Sequence, residues 1–255
     1  KDDLGTWMHA NENVILLPGE SKVVPFNIVI PKDAEPGGHF AAIFFGTSPN
    51  KSNGGQVSIA AKIGTLVLLS VSGDVKEDAG LLSFNTVGNR FWYKTLPVSF
   101  EFRFKNDGGD RVKPTGPITL RDTLFLPVSK IDANVSAGNV LPGSTRKFTS
   151  EWLKYERDAT YIEPSSVWGK FWSNVSYEWK NFAVGLYSAN LNIEYGVQKQ
   201  HVKKMLFFFV FPWELVVIIV LILLVVFFGG KKLIKRYNKY QLFMLILDQK
   251  NILKI

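Results

Sequence analysis

Val98-Ser99-Phe100-Glu101-Phe102-Arg103-Phe104-Lys105 alternates apolar and polar residues along its whole length. A strand turns successive side chains to opposite faces, so this stretch predicts a sheet with one dry face and one wet face. Tyr187, Ala189, Leu191, Ile193 and Tyr195 repeat the alternation against Ser188, Asn190, Asn192 and Glu194. Gly64 to Val71 and Met205 to Phe211 are continuous apolar runs and read as inner strands. Asp107-Gly108-Gly109-Asp110 reads as a hairpin turn. Before residue 150 no amphipathic helix of ordinary length appears, while 12 Pro and 21 Gly punctuate the chain. Short strands between turn signals predict an all-β chain of sandwiches, Ig-like in plan.

Two internal matches divide it. Leu17-Pro18-Gly19-Glu20-Ser21-Lys22 resembles Leu141-Pro142-Gly143-Ser144-Thr145-Arg146, and Gly38-His39-Phe40-Ala41-Ala42 resembles Gly185-Leu186-Tyr187-Ser188-Ala189. Their order predicts two tandem Ig-like β-sandwich domains, 1–72 and 80–211, joined by a linker over 73–79. The Leu-Pro-Gly turn comes much earlier in the first unit than in the second. The first domain is therefore expected to be N-terminally truncated, or to take its early strands from another chain. The offset between the units grows from 124 to 147 residues, which places an insertion in the second domain at about 154–182.

That insertion is aromatic. It holds Tyr155, Tyr161, Trp168, Phe171, Trp172, Tyr177 and Trp179. Positions 168, 171, 172, 175, 179 and 182 are all apolar, a helical stripe. Trp and Tyr cover much area at little entropic cost. Tyr161, Trp168, Phe171, Trp172, Tyr177 and Trp179 are thus the candidate contacts for a glycan, a partner protein or the outer membrane leaflet. Packing back on the sandwich as a satellite core is the alternative for the same residues.

Leu215 to Phe228 reads LVVIIVLILLVVFF. With Pro212 starting the helix and Trp213 at the interface, 212–230 predicts a transmembrane α-helix, short for a span, that Gly229 and Gly230 end. Glu214 sits at its edge, where a carboxylate costs little. Lys231, Lys232, Lys235, Arg236 and Lys239 follow directly, against Lys199, Lys203 and Lys204 on the other side. The larger basic cluster predicts a cytoplasmic tail over 231–255, held by anionic lipid, with the N-terminal domains outside. Such an orientation calls for a signal peptide, cleaved or upstream of Lys1. Leu242 to Leu247 is too short to span and suits the membrane interface or a partner subunit.

The net charge of +8 over 255 residues is not a nucleic-acid signature. Residues 231–255 alone carry a net +6, so the excess belongs to the tail and not to a binding face. With no Cys, disulfide scaffolds and thiol nucleophiles are excluded. His9, His39 and His201 have no metal-ligand spacing, and His39 reads as a turn residue after Pro36-Gly37-Gly38. No catalytic motif is present, so no enzyme and no cofactor are expected. Asp74, Glu77 and Asp78 in the linker offer hard oxygen ligands, short of the number calcium takes, or simply a solvated linker. Asn50, Asn134 and Asn174 head Asn-X-Ser triplets that match the glycosylation acceptor pattern.

Leu17-Pro18-Gly19-Glu20, Ile28-Val29-Ile30-Pro31, Ala34-Glu35-Pro36-Gly37-Gly38 and His39-Phe40-Ala41-Ala42-Ile43 carry a resemblance. With the layout of two β-domains, one helix and a basic tail, the chain resembles the WxL-interacting proteins of bacterial cell surfaces. That resemblance implies peptidoglycan binding by the first domain and binding of host or surface proteins by the second. The expectation is a single-pass protein of the bacterial cell membrane, adhesive or scaffolding, with the bilayer, cell-wall glycan and surface proteins as partners. The alternative is an accessory subunit of a larger membrane assembly, docking through its helix and tail.

Overall fold

The computed structural model describes residues 3–11, 13–46 and 62–252, with side chains described as far as Asn238. The chain is mostly β, followed by one long helix. In order it forms α1 (Leu4–Trp7), β1 (Met8–Ala10), β2 (Phe26–Ile28), β3 (Gly37–Gly46), β4 (Lys62–Val71), β5 (Ala79–Thr86), β6 (Trp92–Tyr93), β7 (Val98–Asn106), β8 (Pro117–Arg121), β9 (Pro127–Asp132) and β10 (Ser144–Trp152). Helix α2 (Val167–Lys180), β11 (Gly185–Tyr195), β12 (Gln200–Val210) and helix α3 (Trp213–Ile252) complete it.

From Ala79 to Val210 two sheets face each other. One has the order β10-β7-β5 and the other β6-β12-β11-β8-β9. Strand β7 buries Val98, Phe100, Phe102 and Phe104 and turns Arg103 and Lys105 to water, as its alternation dictates. Both sheets supply one core. Phe102 stacks on Phe148 at 4.8 Å, and Phe208 of the opposite sheet meets Phe100 at 5.5 Å and Tyr187 at 5.7 Å. Fully burying such side chains contributes about 1.5–3 kcal/mol each.

The Asp107–Asp110 stretch is not a hairpin. Strands β7 and β8 lie in different sheets, and the chain crosses between them through Val112, bridged to Val140, and Thr115, bridged to Glu194. Buried Asn106 holds this crossing. Its Nδ2 donates to Asp110 O at 2.7 Å and Val140 O at 3.0 Å, while its Oδ1 accepts from Gly108 N.

The N-terminal part is thinner. Among the described residues, strands β3 and β4 pair only with each other, and β1 pairs only with β2. The apolar run of β4 is therefore not an inner strand of any sheet among the described residues. No second layer covers it among the described residues, and Ile63 and Leu66 are exposed, as are Phe44 and Phe45 of β3. Leu4 and Trp7 are buried, with Trp7 against His39 at 4.5 Å. His39 is thus a strand residue, not a turn residue, its Nε2 at 2.9 Å from Glu35 O. Strand β12 is an inner strand of its sheet, yet only Phe208 and Val210 of its apolar run are buried, while Met205 and Phe207 are exposed.

The two matched motifs fold alike. Gly19 and Gly143 both take positive φ, +80° and +67°. Both close turns with the same bond, Glu20 N to Leu17 O at 3.0 Å and Ser144 N to Leu141 O at 3.1 Å. Each later match opens an antiparallel pair, β3 with β4 and β11 with β12.

Helix α3 does not stop at Gly229-Gly230. It runs 40 residues, about 60 Å at 1.5 Å per residue. Both glycines keep negative φ inside it, where glycine costs about 1 kcal/mol relative to Ala, and the good helix formers Lys231, Lys232 and Leu233 follow them. Trp213–Asn238 is long and apolar enough to cross a membrane, with a mean hydropathy of 2.8 in its most apolar window.

Candidate functional site

The aromatic insertion leaves the body after Trp152 and returns at Ala183. One side chain ties the two ends. Buried Asn181 accepts from Tyr155 N at 2.9 Å and Lys154 N at 3.3 Å, and donates to Tyr155 O at 3.0 Å. Lys154 adds a bond to Phe182 O at 2.5 Å. Ser166 caps α2, accepting from Gly169 N at 3.0 Å.

The helix shows three faces. Ser173, Tyr177 and Lys180 meet the incoming loop. The Tyr161 hydroxyl hydrogen-bonds Ser173 Oγ, and the Arg157 guanidinium lies between the Tyr161 and Tyr177 rings at 4.7 and 4.3 Å. Lys180 Nζ lies 4.2 Å from the Tyr155 ring. These residues, with Asp158 and Pro164, line an open cup of about 380 Å³. Burial and the nearby carboxylates Glu151 and Glu156 raise the Tyr177 hydroxyl above its usual range, against the pull of Arg157.

Trp168, Trp172 and Trp179 form a second face, 75%, 58% and 67% exposed. Phe171 sits edge-on to both Trp168 and Trp172. Of the stripe foreseen from the spacing, Trp168, Trp172, Trp179 and Phe182 are exposed, while Phe171 and Val175 are half-buried. The six candidate residues do not form one site: Tyr161 and Tyr177 belong to the cup, and Trp168, Phe171, Trp172 and Trp179 to the stripe.

Asn174 and Glu178 make the third face, packed on the first turn of α3. Leu215 N donates to Glu178 Oε2 at 2.8 Å, and Asn174 Nδ2 reaches Glu214 Oε1 at 3.4 Å. Lys94 pairs with the same Glu214 oxygen at 2.7 Å and lies 5.5 Å from the Trp213 ring. Glu178 is 1% exposed and Glu214 5%. Burial raises Glu178 to about 7, and the facing Glu214 carboxyl adds to the rise. Neither Glu178 Oε1 nor Glu214 Oε2 has a hydrogen-bond partner among the described residues.

Of the charged residues of this last cluster, sequence reading singles out only Glu214, as an edge charge; Asn174 reads as a glycosylation acceptor and Trp213 as an interface residue. The available signal was that Glu178 is the sole acidic residue of α2 and Glu214 the sole one at the head of an apolar helix. Nothing in the spacing pointed to Lys94 or Asn181.

The other candidates are dispersed. Asp78 pairs with Lys76 at 2.7 Å, and Glu77 Oε1 accepts from Val197 N at 2.7 Å. Among the described residues no group of three His, Asp or Glu is placed to hold a metal. Asn134 is buried, donating to Pro114 O and Gly138 O, so its amide is not offered to a glycosylating enzyme. Asn50 lies outside the described residues, as do the side chains of Lys239 and Leu242 to Leu247. Lys231, Lys232, Lys235 and Arg236 are exposed along α3 beyond its apolar run, and Trp213 is half exposed at its head.

No protein-family model matches the chain, and no curated protein matches it.

Proposed function

We propose that this chain is a single-pass bacterial surface protein of the WxL-interacting kind. In this reading two Ig-like units are anchored at the membrane and bind cell-wall glycan or surface proteins, without catalysis. The observation that supports it is the position of the N-terminal strands relative to α3. Strand β12 enters α3 after only Phe211 and Pro212. Its opposite end, about 35 Å away over 11 residues, is the Gly196–Lys199 turn. There the N-terminal strands dock. Gly38 N donates to Gly109 O at 3.0 Å, Arg111 to Leu68 O at 3.0 Å, Ser70 to Asp110 at 2.5 Å, and Glu77 meets Val197. Gly37 at φ +122° makes this approach possible, since a Cβ there would lie 2.7 Å from Gly109 O. The β3–β4 ribbon is thereby held at the end of the body remote from the span, with edges unpaired among the described residues and with exposed Phe44 and Ile63, available to a wall ligand or to strand addition. The basic tail of α3 would face the cytoplasm.

The test is co-sedimentation of full-length protein in vesicles with purified sacculi. Retention that is lost in Phe44→Ser/Ile63→Ser supports wall binding through the ribbon. Retention lost instead in Tyr161→Ala/Tyr177→Ala moves the ligand to the tyrosine cup. No retention in any form rejects the wall ligand.

One observation favours the accessory-subunit reading. Helix α3 continues unbroken beyond Gly230 to Ile252, giving a rigid arm beyond the apolar run on which another subunit could dock.

A further inference from the structure

Helix α2 is fixed to the first turn of α3 through Glu178, Asn174, Glu214 and Leu215. Its tryptophan stripe therefore stands at the level where the chain enters its apolar run. Three Trp rings about two-thirds exposed present roughly 500 Å², at up to about 250 Å² each. That is at the upper end of what a soluble monomer shows.

The length of α3 says what covers them. Because α2 and the body bury Glu214 and Leu215, the free apolar run is Val217 to Phe228. Twelve residues give about 18 Å against a hydrocarbon core of about 30 Å. Thinning a bilayer costs fractions of a kcal/mol per Å, whereas an interfacial helix sinks its apolar face about 5–10 Å. The same end of the body adds Leu124, Phe125 and Leu126, all exposed, in a loop held by Thr123 to Leu186 O at 3.0 Å. Leu186 follows Gly185, whose partner is Val210 at the end of β12.

We infer that α2 is an interfacial helix: Trp168, Trp172 and Trp179 lie in the lipid headgroup layer and seat the β body on the bilayer, drawing in the head of a helix whose unburied apolar run is short. This rests on the reading that α3 crosses the membrane. The stripe then serves neither glycan nor protein, and the tyrosine cup and the distal ribbon remain for ligands.

The absence of native Cys makes the test direct. Full-length Trp172→Cys, Ile222→Cys and Gln198→Cys are each spin-labelled in vesicles of phosphatidylcholine and phosphatidylglycerol. Collision with lipid-soluble oxygen is then compared with collision with a water-soluble nickel chelate. The expected result is oxygen-dominated relaxation at 172 and 222 and nickel-dominated relaxation at 198. If 222 is oxygen-dominated but 172 matches 198, α2 stands off the bilayer and the inference is overturned while the span survives. If 172 is shielded from both reagents, protein covers the stripe and the inference is equally overturned. Nickel access at 222 would remove the span, and the inference with it.

Discussion

Leu215 donates its amide hydrogen to Glu178 Oε2 at 2.8 Å, so a carboxylate of α2 takes one of the donors that the first turn of α3 leaves unpaired. A carboxylate suits a helix N-terminus, yet this one is buried beside a second carboxyl, and burial holds its pKa near 7. The body is thereby locked to the head of the apolar helix through a titrating group.

The pH dependence follows from the direction of that shift. Raised from 4.5 to about 7, Glu178 binds a proton in the folded state that it lacks when unfolded. Its contribution is present below about pH 4.5 and is lost as pH rises toward 7, becoming flat above. Glu178→Gln keeps an acceptor for Leu215 and gives Glu214 a permanent donor. The wild-type Tm in detergent should fall across this window relative to Glu178→Gln. Parallel profiles would show that Glu178 does not titrate there.

Lys94 supplies the charge that lets Glu214 stay buried. Lys94→Met should cost about 1–3 kcal/mol, the desolvation of an unpaired group. Lys94→Met/Glu214→Leu should recover most of it, because replacing both partners of a buried pair by apolar groups is often neutral. Denaturant titration of the two variants decides, and a double variant no better than the single would show that Glu214 is satisfied elsewhere.

The insertion should open before the body does. Asn181→Ala leaves the Lys154 and Tyr155 amides and the Tyr155 carbonyl without their partner. Hydrogen exchange over 155–180 should accelerate while β7 and β11 remain protected. Phe102→Ala removes a stacked core ring instead, should cost about 3–5 kcal/mol, and should accelerate exchange throughout the body. If the two variants give the same exchange pattern, the insertion is not a separate cooperative unit.

Legibility tracked how local the cause was. Alternation exposed β7 and β11, since a half-buried strand writes its burial into its own residues. The stripe at 168–182 gave α2, and the apolar run gave α3. The hairpin at Asp107 failed because turn residues announce a reversal but not which sheet receives the next strand. The run in β4 misled because apolar character does not say whether a second layer exists to cover it. The Glu178–Glu214–Lys94 cluster was invisible because its members lie on two helices and the loop after β6 and meet only after α2 docks on α3.

The paired turns allow the repeat itself to be tested. Gly19 and Gly143 both have positive φ and both face open space, so an added Cβ meets nothing within 4 Å. Any loss from Gly→Ala is then purely conformational, about 1–2 kcal/mol for a left-handed residue. Asn tolerates that region better. Gly143→Ala should lower the stability of the body by this amount, with Gly143→Asn costing less. Gly19→Ala should raise hydrogen exchange in β2 and β3 with the same order of effects and leave β7 unchanged. Equal responses at both sites would mean that the Leu-Pro-Gly turn is the same structural device in each unit. A neutral Gly19→Ala beside a costly Gly143→Ala would mean that only the body depends on it.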